Sequence, residues 1–175
     1  KISVDAGFTC PNRQGENGTN GCLFCDLSGS GATGIARRLS IKGQLEHGKE
    51  IMRRKYKAKQ FIAYFQPFSN TYAPIETLRS YYDEALSVED MVGLAIGTRP
   101  DCVPPGVLDL LAEYHEHTDL WLELGLQSCH DSSLAFLQRG HSYAAFLEAV
   151  AGAQQRDMRL CVHVILGLPG ETRAQ

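Results

Sequence analysis

The chain has 175 residues, 43% of them hydrophobic, and a formal net charge of −3. That is enough apolar material for a sizeable core and most simply one domain, while the charge argues against nucleic-acid binding by bulk electrostatics alone. No apolar run approaches 18 residues, and no charged segment precedes a short apolar one, so neither a membrane span nor a signal peptide is visible. Six cysteines without secretory features agree with a reducing compartment, and the expectation is a cytoplasmic protein without membrane association. The chain opens directly on a strand and closes at Gly170-Glu-Thr-Arg-Ala-Gln175, where a helix is expected to begin. It therefore reads as a single core domain, 1–175, truncated at both ends.

Ile2-Ser-Val4 reads as a short strand. It runs into Cys10-Pro-Asn-Arg-Gln-Gly-Glu-Asn-Gly-Thr-Asn-Gly-Cys22-Leu-Phe-Cys25, too rich in Gly and Asn for helix or strand. The C-x2-C pair places two sulfurs on one ion or cluster, and Cys10 closes over it from the far side of the loop. Three thiolates fall one short of four ligands. Three readings compete: a structural zinc module of three cysteines and one of the six histidines, a disulfide, and an iron–sulfur cluster with one iron open. Strain in C-x2-C bridges and the reducing setting weigh against the disulfide. Phe24, for which a zinc knuckle has no need, favours the cluster.

Beyond the loop the pattern alternates between strand and helix. Leu45, Gly48, Met52 and Tyr56 share one face of a first helix, and Ile75, Leu78, Tyr82, Ala85 and Leu86 one face of a second. Pro104-Pro105 opens a third that carries Val107, Leu108, Leu111 and Tyr114, and Asp131 and Ser142 are N-cap candidates for two more. Apolar runs at Phe61–Phe65, Met91–Ile96, Leu120–Leu126 and Leu160–Leu168 read as parallel strands covered on both faces. The fold class is α/β with about five parallel strands, either an open doubly wound sheet or part of a barrel. In both, ligands gather at the C-terminal strand ends, and the polar landmarks fall there.

Cys10, Cys22, Phe24 and Cys25 resemble the cluster loop of the radical SAM superfamily, in which the aromatic lies near the adenine of S-adenosylmethionine. The eleven residues between Cys10 and Cys22 resemble the long-loop branch that holds the elongator catalytic subunit and the YhcC/YtqA-type proteins. The resemblance, from Asp5 through Thr172, implies a partial (β/α) TIM-like barrel. Gln66-Pro-Phe-Ser69-Asn70-Thr-Tyr72 stands where such proteins carry a double-glycine turn on the cofactor's amino group, which makes Gln66, Ser69 and Asn70 cofactor-binding candidates. Thr98-Arg99-Pro-Asp101 is similar to the same string in the elongator-like branch. Arg99 there either pins a ligand anion or bridges to Asp101 or Glu123. Gly125-Leu-Gln127-Ser128 followed by Arg139 resembles a pair in which the glutamine reaches the cofactor and the arginine neutralises its methionine carboxylate. His163 stands where related oxidases have an acid on the ribose hydroxyls.

What the resemblance implies is reductive cleavage of S-adenosylmethionine at a 4Fe-4S cluster held by Cys10, Cys22 and Cys25. The resulting 5'-deoxyadenosyl radical would take hydrogen from a substrate, and the elongator branch points to a tRNA wobble uridine. An electron donor such as flavodoxin or ferredoxin is implied as partner. Cys102, Cys129 and Cys161 lack a C-x2-C mate and read as free thiols. Arg53-Arg-Lys-Tyr-Lys57-Ala-Lys59 reads as a solvated helix face or an RNA-contact patch.

Overall fold

The structure is a computed structural model that describes residues 1–14, 21–29 and 38–172. Its elements are β1 (Ile2–Val4), α1 (Ile41–Tyr56), β2 (Phe61–Phe65), α2 (Ile75–Leu86), β3 (Met91–Thr98), α3 (Pro105–His115), β4 (Asp119–Gln127), α4 (Asp131–Phe136), α5 (Tyr143–Gln154) and β5 (Arg159–Val164). All four strand pairings are parallel, and the order across the sheet is β1-β2-β3-β4-β5. A doubly wound sheet reverses its order about a central switch point. This order never reverses, so right-handed crossovers bring the helices to one face and the five strands form part of a barrel. The helix expected to begin at the C-terminus falls partly on residues 173–175, outside the described residues.

The helical face of the sheet holds the core. Val4, Phe65, Ile96 and Leu122 lie in register across four strands and are completely buried, as are Leu45, Leu78, Leu111 and Ala153 from the helices. Gly48 lets α1 approach β1: a Cβ there would stand 2.3 Å from Cγ2 of Ile2. Tyr56, assigned to the inner face of α1 by spacing, is exposed instead, because it sits in the last turn as the helix leaves the sheet. Ser142 caps α5 by accepting from the Ala145 amide. Asp131 is the first helical residue after the cap His130, and its carboxylate instead accepts from the Tyr143 amide at the start of α5.

The opposite face differs from the expectation of strands covered on both sides. Ser3, Tyr64 and Trp121 on that face are only half-buried, and most of β5 is exposed. The face is polar: Glu123 takes hydrogen bonds from Lys1, from His163 Nε2 at 2.8 Å and from the Tyr64 hydroxyl. Burial alone would push the Glu123 carboxyl up, but these donors hold it below the usual carboxylate range, so it stays ionised. Burial and the adjoining carboxylate push the Tyr64 phenol well up, so it stays a neutral donor.

Candidate metal and cofactor site

The strand ends are braced before they carry any ligand. Tyr82, fully buried, packs edge-on against Phe65 and Tyr114 with centroids 5.3 and 5.6 Å away, contacts each adding about 0.5–1.5 kcal/mol beyond burial. Its hydroxyl donates to the Asn70 carbonyl at 2.7 Å. The Asn70 amide in turn donates to the carbonyls of Phe65 and Gly97, tying the end of β2 to that of β3. Thr71 shares a 2.7 Å hydroxyl contact with Thr98. Core packing is thereby transmitted to the loop after β2.

The cysteine loop is fastened to a distant turn. Asn12, completely buried, points Nδ2 at the carbonyls of Gln138 and Arg139, 2.7 and 2.9 Å away, and at Cys22 Sγ, 3.3 Å away. The Leu23 amide donates to the Leu137 carbonyl. Gln138 takes the left-handed region at φ 54°, a conformation most side chains avoid, and so turns the chain to deliver Arg139 inward. Arg139 is buried and donates to the Gly125 carbonyl at 2.7 Å. Glycine at 125 makes room for this approach: a Cβ would lie 2.6 Å from Arg139 Nη2 and 2.8 Å from Gln127 Nε2, and one or both side-chain ends would have to move.

All of the cluster and cofactor candidates named from the sequence except Asn70 line one cavity of about 270 Å³ at the C-terminal strand ends. Cys10 and Cys22 are buried, Cys25 is half-buried, and none is in a disulfide. Arg99 takes the carboxylate of Asp101 in a bidentate pair at 2.9 and 2.7 Å, not Glu123, and also donates to the Arg139 carbonyl. Asn70 lies behind the wall, its amide committed to the backbone. Phe24 flanks the mouth with the Arg139 guanidinium 5.8 Å from its ring centre. His163 lines the cavity, with its Nε2 2.8 Å from a Glu123 carboxylate oxygen. Gln127 is held at φ 77°, a strained conformation of the sort that collects at functional sites. Ser128 donates to Glu171 at 2.5 Å, which ties the loop after β5 to the end of β4.

Two observations bear on what the thiols suit. Tetrahedral zinc with Zn–S near 2.3 Å brings sulfurs to about 3.8 Å of one another. Among the described residues, the group of three potential ligand atoms within 4.8 Å of one another is Glu123, Cys161 and His163, not the loop cysteines. The three loop sulfurs therefore do not stand at the mutual spacing of a single tetrahedral zinc site. In addition, Arg139 Nε is buried without a hydrogen-bond partner among the described residues, a donor free for an anionic ligand group.

Sequence reasoning did not single out Asn12, Arg13, Lys1 or Tyr64, and it named Glu123 only as a partner for Arg99. An acid inside the apolar run Leu120–Leu126 was the available signal, because a buried strand does not carry an unpaired carboxylate. The basic run at the end of α1 lies at the opposite end of the sheet from the cysteines. Arg53 pairs there with Asp90 beside the start of β3 and covers the Phe61 ring at 5.7 Å.

Fold and site together define a parallel βα part-barrel with a thiol-lined ligand cavity at its C-terminal strand ends. The chain belongs to the radical SAM superfamily, whose family model matches residues 15–175. Members of that superfamily generally use a 4Fe-4S cluster and S-adenosylmethionine. The chain is 45% identical to protein YhcC of Escherichia coli K12 over 176 residues, covering 100% of this chain and 56% of that protein. It is 43% identical over 173 residues to the uncharacterised protein YtqA of Bacillus subtilis strain 168, covering 99% and 54% respectively. The chain therefore spans about half the length of the curated relatives it matches. A solved structure of archaeal Elp3 from Methanocaldococcus infernus, lacking its N-terminus, shares the fold with a TM-score of 0.58 at 18% identity, covering 75% of this chain and 34% of that one. No helix is long and apolar enough to cross a membrane among the described residues.

Proposed function

We propose that this chain is the catalytic core of a radical SAM enzyme in which Cys10, Cys22 and Cys25 hold a 4Fe-4S cluster and the adjoining cavity takes S-adenosylmethionine. The observation that carries this reading is the convergence of three free thiols, a buried arginine with an unpartnered Nε and an aromatic edge on one cavity. When bound, the cluster and S-adenosylmethionine supply a 5'-deoxyadenosyl radical that abstracts hydrogen from substrate. The protein's part is binding, orientation and exclusion of water. Arg139 Nε meets the methionine carboxylate, Phe24 flanks the adenine, and Nδ1 of His163 meets a ribose hydroxyl. Gln66, Ser69, Thr98 and Gln127 line the remaining wall as polar contacts. Glu123 fixes the His163 ring by holding its other nitrogen.

The substrate we propose is a tRNA wobble uridine, on the resemblance to the elongator branch, with flavodoxin or ferredoxin as electron donor in the cytoplasm. The basic end of α1 is too far round the sheet to grip RNA at the cavity mouth, so substrate contacts belong to the rim. Anaerobic reconstitution with iron and sulfide should give a brown protein absorbing near ~400 nm, and dithionite with S-adenosylmethionine should release 5'-deoxyadenosine. The triple variant with Cys10, Cys22 and Cys25 changed to Ala should do neither. A colourless wild type that retains one tightly bound zinc would overturn the reading in favour of a zinc module. Deletion of the gene should remove one modified tRNA nucleoside, and an unchanged nucleoside profile would reject the substrate.

A further inference from the structure

Each cysteine of the loop faces a guanidinium. Arg13 Nη2 lies 3.3 Å from Cys25 Sγ, Arg139 Nη1 lies 3.5 Å from Cys22 Sγ, and Arg99 Nη1 lies 3.9 Å from Cys10 Sγ. These are three different parts of the chain: the cysteine loop itself, the turn after α4 and the end of β3. Asn12 adds a neutral donor to Cys22 at 3.3 Å. None of the three arginines is a metal ligand, and Arg139 keeps Nε clear of its sulfur contact. The arrangement does more than a ligand carboxylate needs, because the polar contacts of Arg13 among the described residues go to Cys25 and Asp26. Its Nη2 donates to the carbonyl and the thiol of Cys25 and to the carbonyl of Asp26, while the guanidinium carbon stands 5.3 Å from the Phe68 ring centre.

Resting on the cluster reading above, we infer that Arg13, together with Arg99 and Arg139, is a positioning residue that sets the reduction potential of the cluster. Reduction adds one electron from the donor, which is oxidised by one electron, and the added charge spreads over the cluster and its three thiolates. Hydrogen bonds and positive charge at those sulfurs stabilise the more negative state and raise the potential. A partly buried site screens such charges less than water does. Arg99 acts more weakly than its neighbours, because Asp101 offsets its charge at 2.7 Å and its sulfur is farther away. The arrangement therefore contains its own control. Removing Arg13 lowers the potential, whereas removing the charge of Asp101 unmasks Arg99 and raises it.

The test is an EPR-monitored redox titration of the reconstituted full chain without S-adenosylmethionine, with iron counted for each variant. R13Q should disfavour reduction by about tenfold, a shift of ~59 mV to more negative potential for a one-electron couple. R13K, which keeps the charge but loses the planar guanidinium and its reach to Cys25, should fall between R13Q and wild type. D101N should move the midpoint in the positive direction. An R13Q protein with wild-type iron content and an unchanged midpoint overturns the inference. If R13Q fails to load iron, D101N decides, since Asp101 lies outside the loop: an unchanged or lowered midpoint refutes it. A wild type that assembles no cluster defeats the functional reading itself, and the iron count separates that outcome from a failure of the tuning alone.

Discussion

Asn12 offers the sharpest check on how the cysteine loop is held. Its amide presents two hydrogens to three acceptors, the carbonyls of Gln138 and Arg139 and Cys22 Sγ. In Asn12→Ala, the Arg139 carbonyl keeps the Arg99 donor at 2.6 Å, so the loss falls on the Gln138 carbonyl and the cysteine. The Gln138 contact is only part-buried, so its carbonyl can turn to water, and the loss is that of an ordinary hydrogen bond, about 0.5–1.5 kcal/mol; we take ~1 kcal/mol. For a domain of this size each kcal/mol lowers Tm by about 2–4 °C, so the variant should melt ~2–4 °C below wild type. Asn12→Asp is nearly isosteric but sets a carboxylate against two carbonyls, so it should melt lower than the alanine variant. Calorimetry or circular dichroism of the cluster-free proteins reads both. An aspartate variant as stable as wild type would refute the claim that this amide clasps the loop.

Other outcomes follow from the same geometry. The folded pKa of Glu123 is depressed, so its stabilising contribution is complete above the ordinary value near ~4.3 and is lost as pH falls through the lower folded value. Glu123→Gln should cost about 2 kcal/mol at neutral pH and flatten the acid limb of a urea-midpoint profile; an unchanged limb contradicts the network. Gly125→Ala must displace Arg139 or Gln127, with an overpacking cost of about 1–3 kcal/mol, and should weaken S-adenosylmethionine binding measured by calorimetry more than it lowers iron content. Burial pushes the Cys102 thiol up to about 12, so at pH 8 iodoacetamide should modify exposed Cys129 and leave Cys102 intact in a mass spectrum of the native protein.

Much of the layout was legible in the residues because parallel strands and amphipathic helices declare themselves by period. β1 and β2 have the expected bounds, and the later strands differ by one to four residues at their ends, where hydrogen bonding decides and side-chain pattern does not. Cysteine spacing exposed the loop for the same local reason. The clasp by Asn12 was not legible, because it joins groups 126 residues apart and no local pattern marks a buried amide's partner. Arg99 could be placed at a strand end, yet which carboxylate it takes was not legible: it pairs with Asp101, while Lys1 and His163 meet Glu123. β5 looked like an interior strand from its apolar letters, and only the sheet order shows it lying at the border of the described strands with Val162 and Val164 exposed.

The clasp has a consequence for biogenesis. During synthesis the cysteine loop emerges before the turn that grips Asn12, which follows more than a hundred residues later. Until the fourth strand and the short helix after it have left the ribosome, the nascent loop has nothing to close against. If the three thiols hold the proposed cluster, the loop that would receive it is clasped only once nearly the whole described sheet has formed.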